Sequence, residues 1–136
     1  MYLSYNNFFD VYQSGFRVNH STETALVGVV NDLKISSDNY KVTVLVLLDL
    51  NAAFDAVDHV ILLKRLEHCL GLRGTVLNWL SSYLTGRSFS VAVGNSESDV
   101  VSVPYGVPQG SILGPLLFNL YILPLGSIIQ QYNISY

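Results

Sequence analysis

The chain has 136 residues and a mass of 15.0 kDa, half of it hydrophobic and 12% charged, with a formal charge of −3. That size and apolar content fit one compact domain whose core needs neither disulfides nor a structural metal, and they exclude a disordered regulator. Seven Lys and Arg against ten Asp and Glu leave no evident basic surface for gripping phosphate backbones, and a single cysteine, Cys69, excludes a disulfide framework or a thiolate metal site. Cysteine usage gives a reducing, intracellular compartment as the default, with cytoplasm and nucleus undistinguished.

The first ten residues are aromatic and polar, with no basic flank and no long apolar run, so no secretory signal is expected. Residues 21–37 place Ala25, Leu26, Val29, Val30 and Leu33 at helical spacing, with Ser21 as N-cap and Glu23 in the first turn. Residues 41–48 read Lys-Val-Thr-Val-Leu-Val-Leu-Leu, β-branched and apolar on both faces, which predicts a buried central strand. Asp58 then caps a helix whose stripe is Ile61, Leu62, Leu66, Cys69 and Leu70, closed by Gly71. Thr75 caps the next helix, packing Val76, Leu77, Trp79, Leu80, Tyr83 and Leu84 inward until Gly86. Residues 89–93 and 100–104 flank a polar loop at 94–99, the pattern of a hairpin with a longer connection. A Gly/Pro-rich turn over 106–110 opens a last helix that runs to about Leu123. Helices flanking one strand and a hairpin make an α+β layer fold.

Residues 112–129 carry no charge over 18 positions, long enough to suggest a membrane span. Gly114, Pro115, Pro124 and Gly126 interrupt that run, so an unbroken spanning helix is disfavoured and no membrane is expected.

Asp49 ends the apolar run, where a carboxylate costs several kcal/mol to desolvate unless a metal ion or a base compensates it. Two readings stand open: a ligand for Mg²⁺, which takes one or two carboxylates together with substrate phosphates, or a carboxylate that has just emerged at the strand end. Asp55 and Asp58 read first as turn and cap residues. A phosphatase of the haloacid dehalogenase type would carry a second Asp at position 51, where this chain has Asn51. Nothing in the spacing argues for a two-carboxylate glycosidase. The second informative segment is Gly106-Val107-Pro108-Gln109-Gly110-Ser111-Ile112-Leu113-Gly114-Pro115. Its glycines allow close backbone approach and its helix start offers free N–H groups, which suits a nucleotide or a nucleic-acid backbone; a tight, Pro-stiffened helix entry explains it equally well.

Taken together, the two segments resemble a known family. Leu47-Leu48-Asp49-Leu50-Asn51-Ala52-Ala53-Phe54-Asp55-Ala56-Val57-Asp58-His59 resembles motif A of the reverse transcriptases of non-LTR (LINE-type) retrotransposons, and residues 106–115 resemble their motif B. Gln13-Ser14-Gly15-Phe16-Arg17 with His20-Ser21-Thr22 is similar to the motif that precedes them, and Asn78-Trp79-Leu80 with Tyr83-Leu84-Thr85-Gly86-Arg87 to the spacer between them. The resemblance runs from about Gln13 to Tyr136, so residues 1–136 are expected to form part of one reverse transcriptase domain.

The resemblance implies a partial right-hand polymerase palm with part of the fingers, its helices packed on a small, mainly antiparallel sheet. It implies that Asp49 is the first metal-binding carboxylate of a two-Mg²⁺ nucleotidyl-transfer site, with the backbone carbonyl of Leu50 reaching the second ion. Phe54 matches the aromatic that lies under the sugar and excludes a 2′-hydroxyl; packing in the core is its plain alternative. Gln109 and Gly110 match residues beside the incoming nucleotide and template, and Arg17 is a weaker candidate for the same contact. Implied partners are an RNA template, a DNA primer and dNTPs. Motif C, an aromatic-Ala-Asp-Asp hairpin with the other metal-binding carboxylate, is not found in the sequence, nor are the earlier fingers motifs, the thumb or an endonuclease domain. The chain is therefore expected to be inactive alone and, at −3, to bind nucleic acid weakly if at all. The alternative is a non-catalytic interaction module or retroelement remnant that self-associates through an exposed sheet edge.

Overall fold

In a computed structural model, residues 8–134 are described, and they divide into two compact units with the boundary between Asn51 and Ala52. In the first unit, α1 (Thr22–Asp38) begins as its sequence predicts. The Ser21 side chain accepts from Thr24 N at 3.2 Å while Ser21 N donates to Thr24 Oγ1 at 2.9 Å, a reciprocal cap that satisfies two groups left orphaned at a helix start. A hydrogen bond from Ser21, followed by one from its own backbone, holds the Glu23 carboxyl below the usual glutamate range. The predicted apolar face is only partly covered: Ala25 and Leu33 are half-buried, Leu26 and Val30 are exposed, and α1 buries no residue fully.

Residues 41–48 correct the sequence reading. The segment forms no strand and pairs with none among the described residues, and its side chains lie in solvent, with Val42 95% and Leu48 80% exposed. Alternating β-branched residues favour an extended backbone locally, but a strand exists only through ladder bonds to a neighbour. The described residues supply no such neighbour. At its start the segment is tied to α1 by Lys41 N donating to Ser36 O at 3.0 Å and by Thr43 Oγ1 donating to Ser36 Oγ at 2.6 Å.

The second unit holds the core. It contains α2 (His59–His68), α3 (Gly74–Leu84), β1 (Ser88–Phe89), β2 (Ala92–Val93), β3 (Ser96–Glu97), β4 (Val101–Ser102), α4 (Gly114–Ile122) and α5 (Pro124–Gln130). Helix α2 packs against both α3 and α4. Leu62, Leu66 and Leu70 from α2 and its end meet Leu80 and Leu84 of α3 and Leu117 and Leu120 of α4 in one buried cluster, with Val57 and Val107 beside it. Each fully buried leucine contributes roughly 1.5–3 kcal/mol, so this cluster outweighs any single polar contact in the unit. The predicted stripe of α2 holds at three positions; Ile61 is 40% exposed, and Cys69 is exposed because it is the C-cap residue rather than part of the buried face. In α3 the N-cap is Arg73, not Thr75, and Val76 and Trp79 point outward while Leu80 and Leu84 are buried.

The hairpin forms in two steps. β2 pairs antiparallel with β3 around a tight turn at Gly94 (φ +61°) and Asn95, and β1 pairs antiparallel with β4 farther back. The predicted long loop is therefore a short one, since Ser96 and Glu97 join the ladder. With helices and these two small antiparallel ladders, the fold is α+β, as expected. The predicted helix after the 106–110 turn is α4, which ends at Ile122 close to the expected Leu123; a further helix, α5, follows it, because Pro124 has no N–H to continue the ladder and starts a new one. Among the described residues no helix is long and apolar enough to cross a membrane.

Asp58 performs the expected capping: it accepts from Ile61 N at 2.9 Å. Asp58→Ala is expected to cost about 1 kcal/mol, the usual loss for a removed cap, measured as a lower urea midpoint with an unchanged m-value.

Candidate nucleotide site

The Asp49–His59 segment and the 106–115 segment are far apart in sequence, yet residues 54–59 and 105–109 are fastened together in the second unit. Ala52, at φ +50°, opens a turn closed by Asp55 N and Ala56 N donating to Ala52 O. The chain then runs antiparallel to residues 105–107, with Asp58 and Tyr105 forming an isolated bridge. Gly106 N donates to Val57 O at 2.8 Å and Val107 N to Phe54 O at 2.9 Å. The His59 imidazole, 4% exposed, contacts Gly106 O through Nε2 at 2.6 Å. A carbonyl can only accept, so Nε2 carries the proton and donates.

Position 106 strongly favours glycine. Its φ is +91°, and a Cβ built there would lie 3.1 Å from Asp55 Cα, 3.2 Å from Asp55 O and 3.3 Å from Phe54 O. All three are backbone atoms, so they cannot swing aside.

Beyond Gly106 the chain turns into α4. Ser111 N donates to Pro108 O, and Ser111 Oγ accepts from Gly114 N at 2.9 Å, capping a helix whose N-cap residue, Leu113, has no side-chain acceptor. Pro115 stiffens the first turn. On the near side, Gln109 Nε2 donates to Asp55 Oδ1 at 2.9 Å. These two residues border an open cleft of about 450 Å³ whose lining includes Arg87, Phe89, Tyr105 and Gly106. Arg87 is held in place by Nε donating to Tyr83 O at 2.7 Å and by its guanidinium lying 5.0 Å from the centre of the Tyr83 ring. The cleft thus offers one fixed cation, one carboxylate, an amide and two aromatic faces, groups that suit the polar and planar parts of a nucleotide.

The residues singled out from sequence separate into three groups. Phe54, Gln109 and Gly110 lie in the second unit, where the backbone bond from Val107 to Phe54 and the side-chain bond from Gln109 to Asp55 tie their segments together. Phe54 is half-buried, its ring tilted against Phe118 of α4 with centroids 5.1 Å apart. Asp49 and Leu50 lie at the end of the first unit, both exposed. Arg17 also lies there, its Nη1 donating to Asp10 O at 2.9 Å and to Gln13 O at 3.3 Å, so its guanidinium serves a local loop. Two members of the cleft escaped the sequence reading. Asp55 read as a turn residue because its partner lies 54 positions away, and Arg87 stood only in a spacer motif.

The family model described as "Reverse transcriptase (RNA-dependent DNA polymerase)" matches residues 2–136. Over 110 residues the chain is 38% identical to the "Probable RNA-directed DNA polymerase from transposon X-element" of Drosophila melanogaster, covering 81% of this chain and 12% of that protein. It is 34% identical, with the same coverage, to the "RNA-directed DNA polymerase from mobile element jockey" of the same species. Over 75 residues it is 30% identical to the "Retrovirus-related Pol polyprotein from type-1 retrotransposable element R2" of Popillia japonica, covering 55% of this chain and 12% of that one. The chain spans about an eighth of the length of these curated relatives.

Proposed function

Because this chain belongs to the reverse transcriptase family, with relatives among the polymerases of non-LTR retrotransposons, we propose that it forms the motif A and motif B portion of a right-hand palm that carries out RNA-directed DNA synthesis. On this reading residues 1–136 are part of one polymerase domain, and its substrates are an RNA template, a DNA primer and dNTPs. The observation that carries the proposal is the set of backbone and side-chain bonds joining Phe54 and Asp55 to Val107 and Gln109. A site assembled from two distant segments needs such stitching if its parts are to stay in register with one substrate.

Each residue then has a task. Phe54 walls off the 2′ position of the sugar, and its packing on Phe118 supports this, because a steric discriminator must not yield when the larger sugar presses on it. Gln109 and Gly110 meet the nucleotide, the first by its amide and the second by a backbone that, at φ +77° with nothing near its missing Cβ, lets a ligand approach closely. Asp49 and the carbonyl of Leu50 provide oxygen donors of the kind Mg²⁺ takes, and both are exposed to solvent. They fit in kind but not in number: among the described residues no group of three or more His, Cys, Asp or Glu could hold a metal. When bound, two Mg²⁺ ions would activate the primer 3′-hydroxyl and neutralise the leaving pyrophosphate. With one carboxylate assigned to that task, a polypeptide of these 136 residues alone is expected to give no template-dependent primer extension.

Binding separates from chemistry in a titration of the ¹⁵N-labelled chain with dTTP. Shift changes concentrated at Phe54, Gln109, Gly110 and their neighbours, at millimolar affinity given the net charge of −3, are the expected result. Changes confined to the far face of α3, or none at saturating nucleotide, would overturn the proposal.

A further inference from the structure

We infer that Asp55 is a positioning residue that fixes the Gln109 amide with its carbonyl outward, so that Gln109 recognises a hydrogen-bond donor on the nucleotide, a hydroxyl or amino group, and not its phosphates. The inference deepens the proposed function and rests on it only for the identity of the ligand.

A primary amide presents two donors on nitrogen and acceptor lone pairs on oxygen, and a freely rotating Gln offers either to a ligand. An ionised carboxylate only accepts. The 2.9 Å contact between Gln109 and Asp55 Oδ1 therefore requires the nitrogen on that side, and Oε1 lies on the opposite edge of the amide. One of the two N–H groups is engaged by Asp55 and the other stays free, so the edge of the amide that Gln109 turns away from Asp55 is its acceptor oxygen. Phosphate oxygens are acceptors as well and gain little from such a partner; sugar hydroxyls and exocyclic amines gain a hydrogen bond.

The backbone around Asp55 makes the arrangement durable. Asp55 N is held in the turn by Ala52 O, and the residues on either side of it are bonded to the Gln109 segment: Phe54 O to Val107 N and Val57 O to Gly106 N. The absent side chain of Gly106 lets that segment approach to within contact of Asp55 Cα. Both side chains are exposed, so the bond contributes little to stability, and its consequence is orientation. Arg87, across the same cleft, is left as the group suited to an anion.

Side-chain amide resonances of the ¹⁵N-labelled chain test this directly. In the wild type, the Gln109 NH₂ protons are expected to exchange with solvent about tenfold more slowly than those of the exposed Gln131, the protection of one charge-assisted hydrogen bond at a wet site. Asp55→Asn keeps an acceptor at the same place and retains most of the protection. Asp55→Ala abolishes it while the backbone amides of Gly106 and Val107 stay protected. Equal exchange at Gln109 and Gln131 in the wild type would overturn the inference, and that comparison decides even if the alanine variant fails to fold. So would an unchanged Gln109 signal in a folded Asp55→Ala chain.

The ligand arm uses dTTP and inorganic tripolyphosphate. A shift of the Gln109 amide by dTTP and not by tripolyphosphate is expected; an equal response to both overturns the acceptor assignment. If neither ligand moves it while the protection pattern holds, the nucleotide reading fails and the role of Asp55 in orienting Gln109 stands.

Discussion

Gly106→Ala is expected to lower the stability of the unit containing α2 to α5 by about 2–4 kcal/mol, and Gly94→Ala by about 1 kcal/mol. Both glycines adopt positive φ, +91° and +61°, so both substitutions incur the backbone cost of placing an L-residue there. Their surroundings differ. Gly94 has nothing within 4 Å of a built Cβ, whereas at Gly106 three backbone atoms of Phe54 and Asp55 stand at 3.1–3.3 Å. An added methyl must therefore push the two segments apart, and the bonds from Gly106 N to Val57 O and from Val107 N to Phe54 O lengthen with them. Each is worth roughly 0.5–1.5 kcal/mol net, which separates the two substitutions. Urea unfolding of both variants reads the difference. Equal losses would mean that the close approach of the two segments carries no energy, and that the geometry of the candidate site is not what the fold protects.

The larger effect is on catalysis. In any active polymerase that carries this segment, Asp49→Ala is expected to reduce RNA-templated primer extension by about a thousandfold, because a carboxylate assigned to the metal supports several kcal/mol of transition-state charge stabilisation. Its effect on folding is expected to stay within about 0.5 kcal/mol, since Asp49 is exposed. Asp55→Ala is the informative contrast. It lies six positions on in the same motif but orients Gln109, so it should raise KM for the nucleotide more than it lowers kcat. A loss at Asp55 equal to that at Asp49 would place both carboxylates on the metal and contradict the roles assigned here.

How far the sequence disclosed this molecule depends on whether a signal was local. The start of α2 was legible because a cap is a short-range arrangement: Asp58 needs only the N–H of Ile61, three residues on. Leu62, Leu66 and Leu70 were legible because helical spacing puts them on one side whatever they pack against. The segment 41–48 failed for the opposite reason. Its pattern records a demand for cover on both faces, but cover comes from another strand, and the described residues contain none that pairs with it. Cys69 and Trp79 erred more simply: an apolar residue at the right spacing still points outward when the helix has ended or its neighbour covers a narrower stripe.

The candidate site shows the same division. Gln109 and Gly110 could be singled out because Gly-Val-Pro-Gln-Gly is a turn with its own chemistry and because the order of motifs resembles a family. The partner of Gln109 could not, since a contact across 54 residues leaves no trace in spacing. A hint did exist in Gly106. A glycine followed by a valine that buries to 4% marks a place where backbone meets backbone, and the partner it meets is Asp55. Net charge was a poor guide to the family, because −3 describes these 136 residues, which span about an eighth of the length of the relatives.

One measurement tests the central claim most directly: primer extension by a jockey polymerase in which the matched 110 residues are replaced by those of this chain, with an RNA template, a DNA primer, dNTPs and Mg²⁺. The account predicts template-dependent DNA synthesis by the chimera and its reduction to background by Asp49→Ala. A chimera that folds, by circular dichroism and gel filtration, yet extends no primer, or one whose synthesis survives Asp49→Ala, would contradict it.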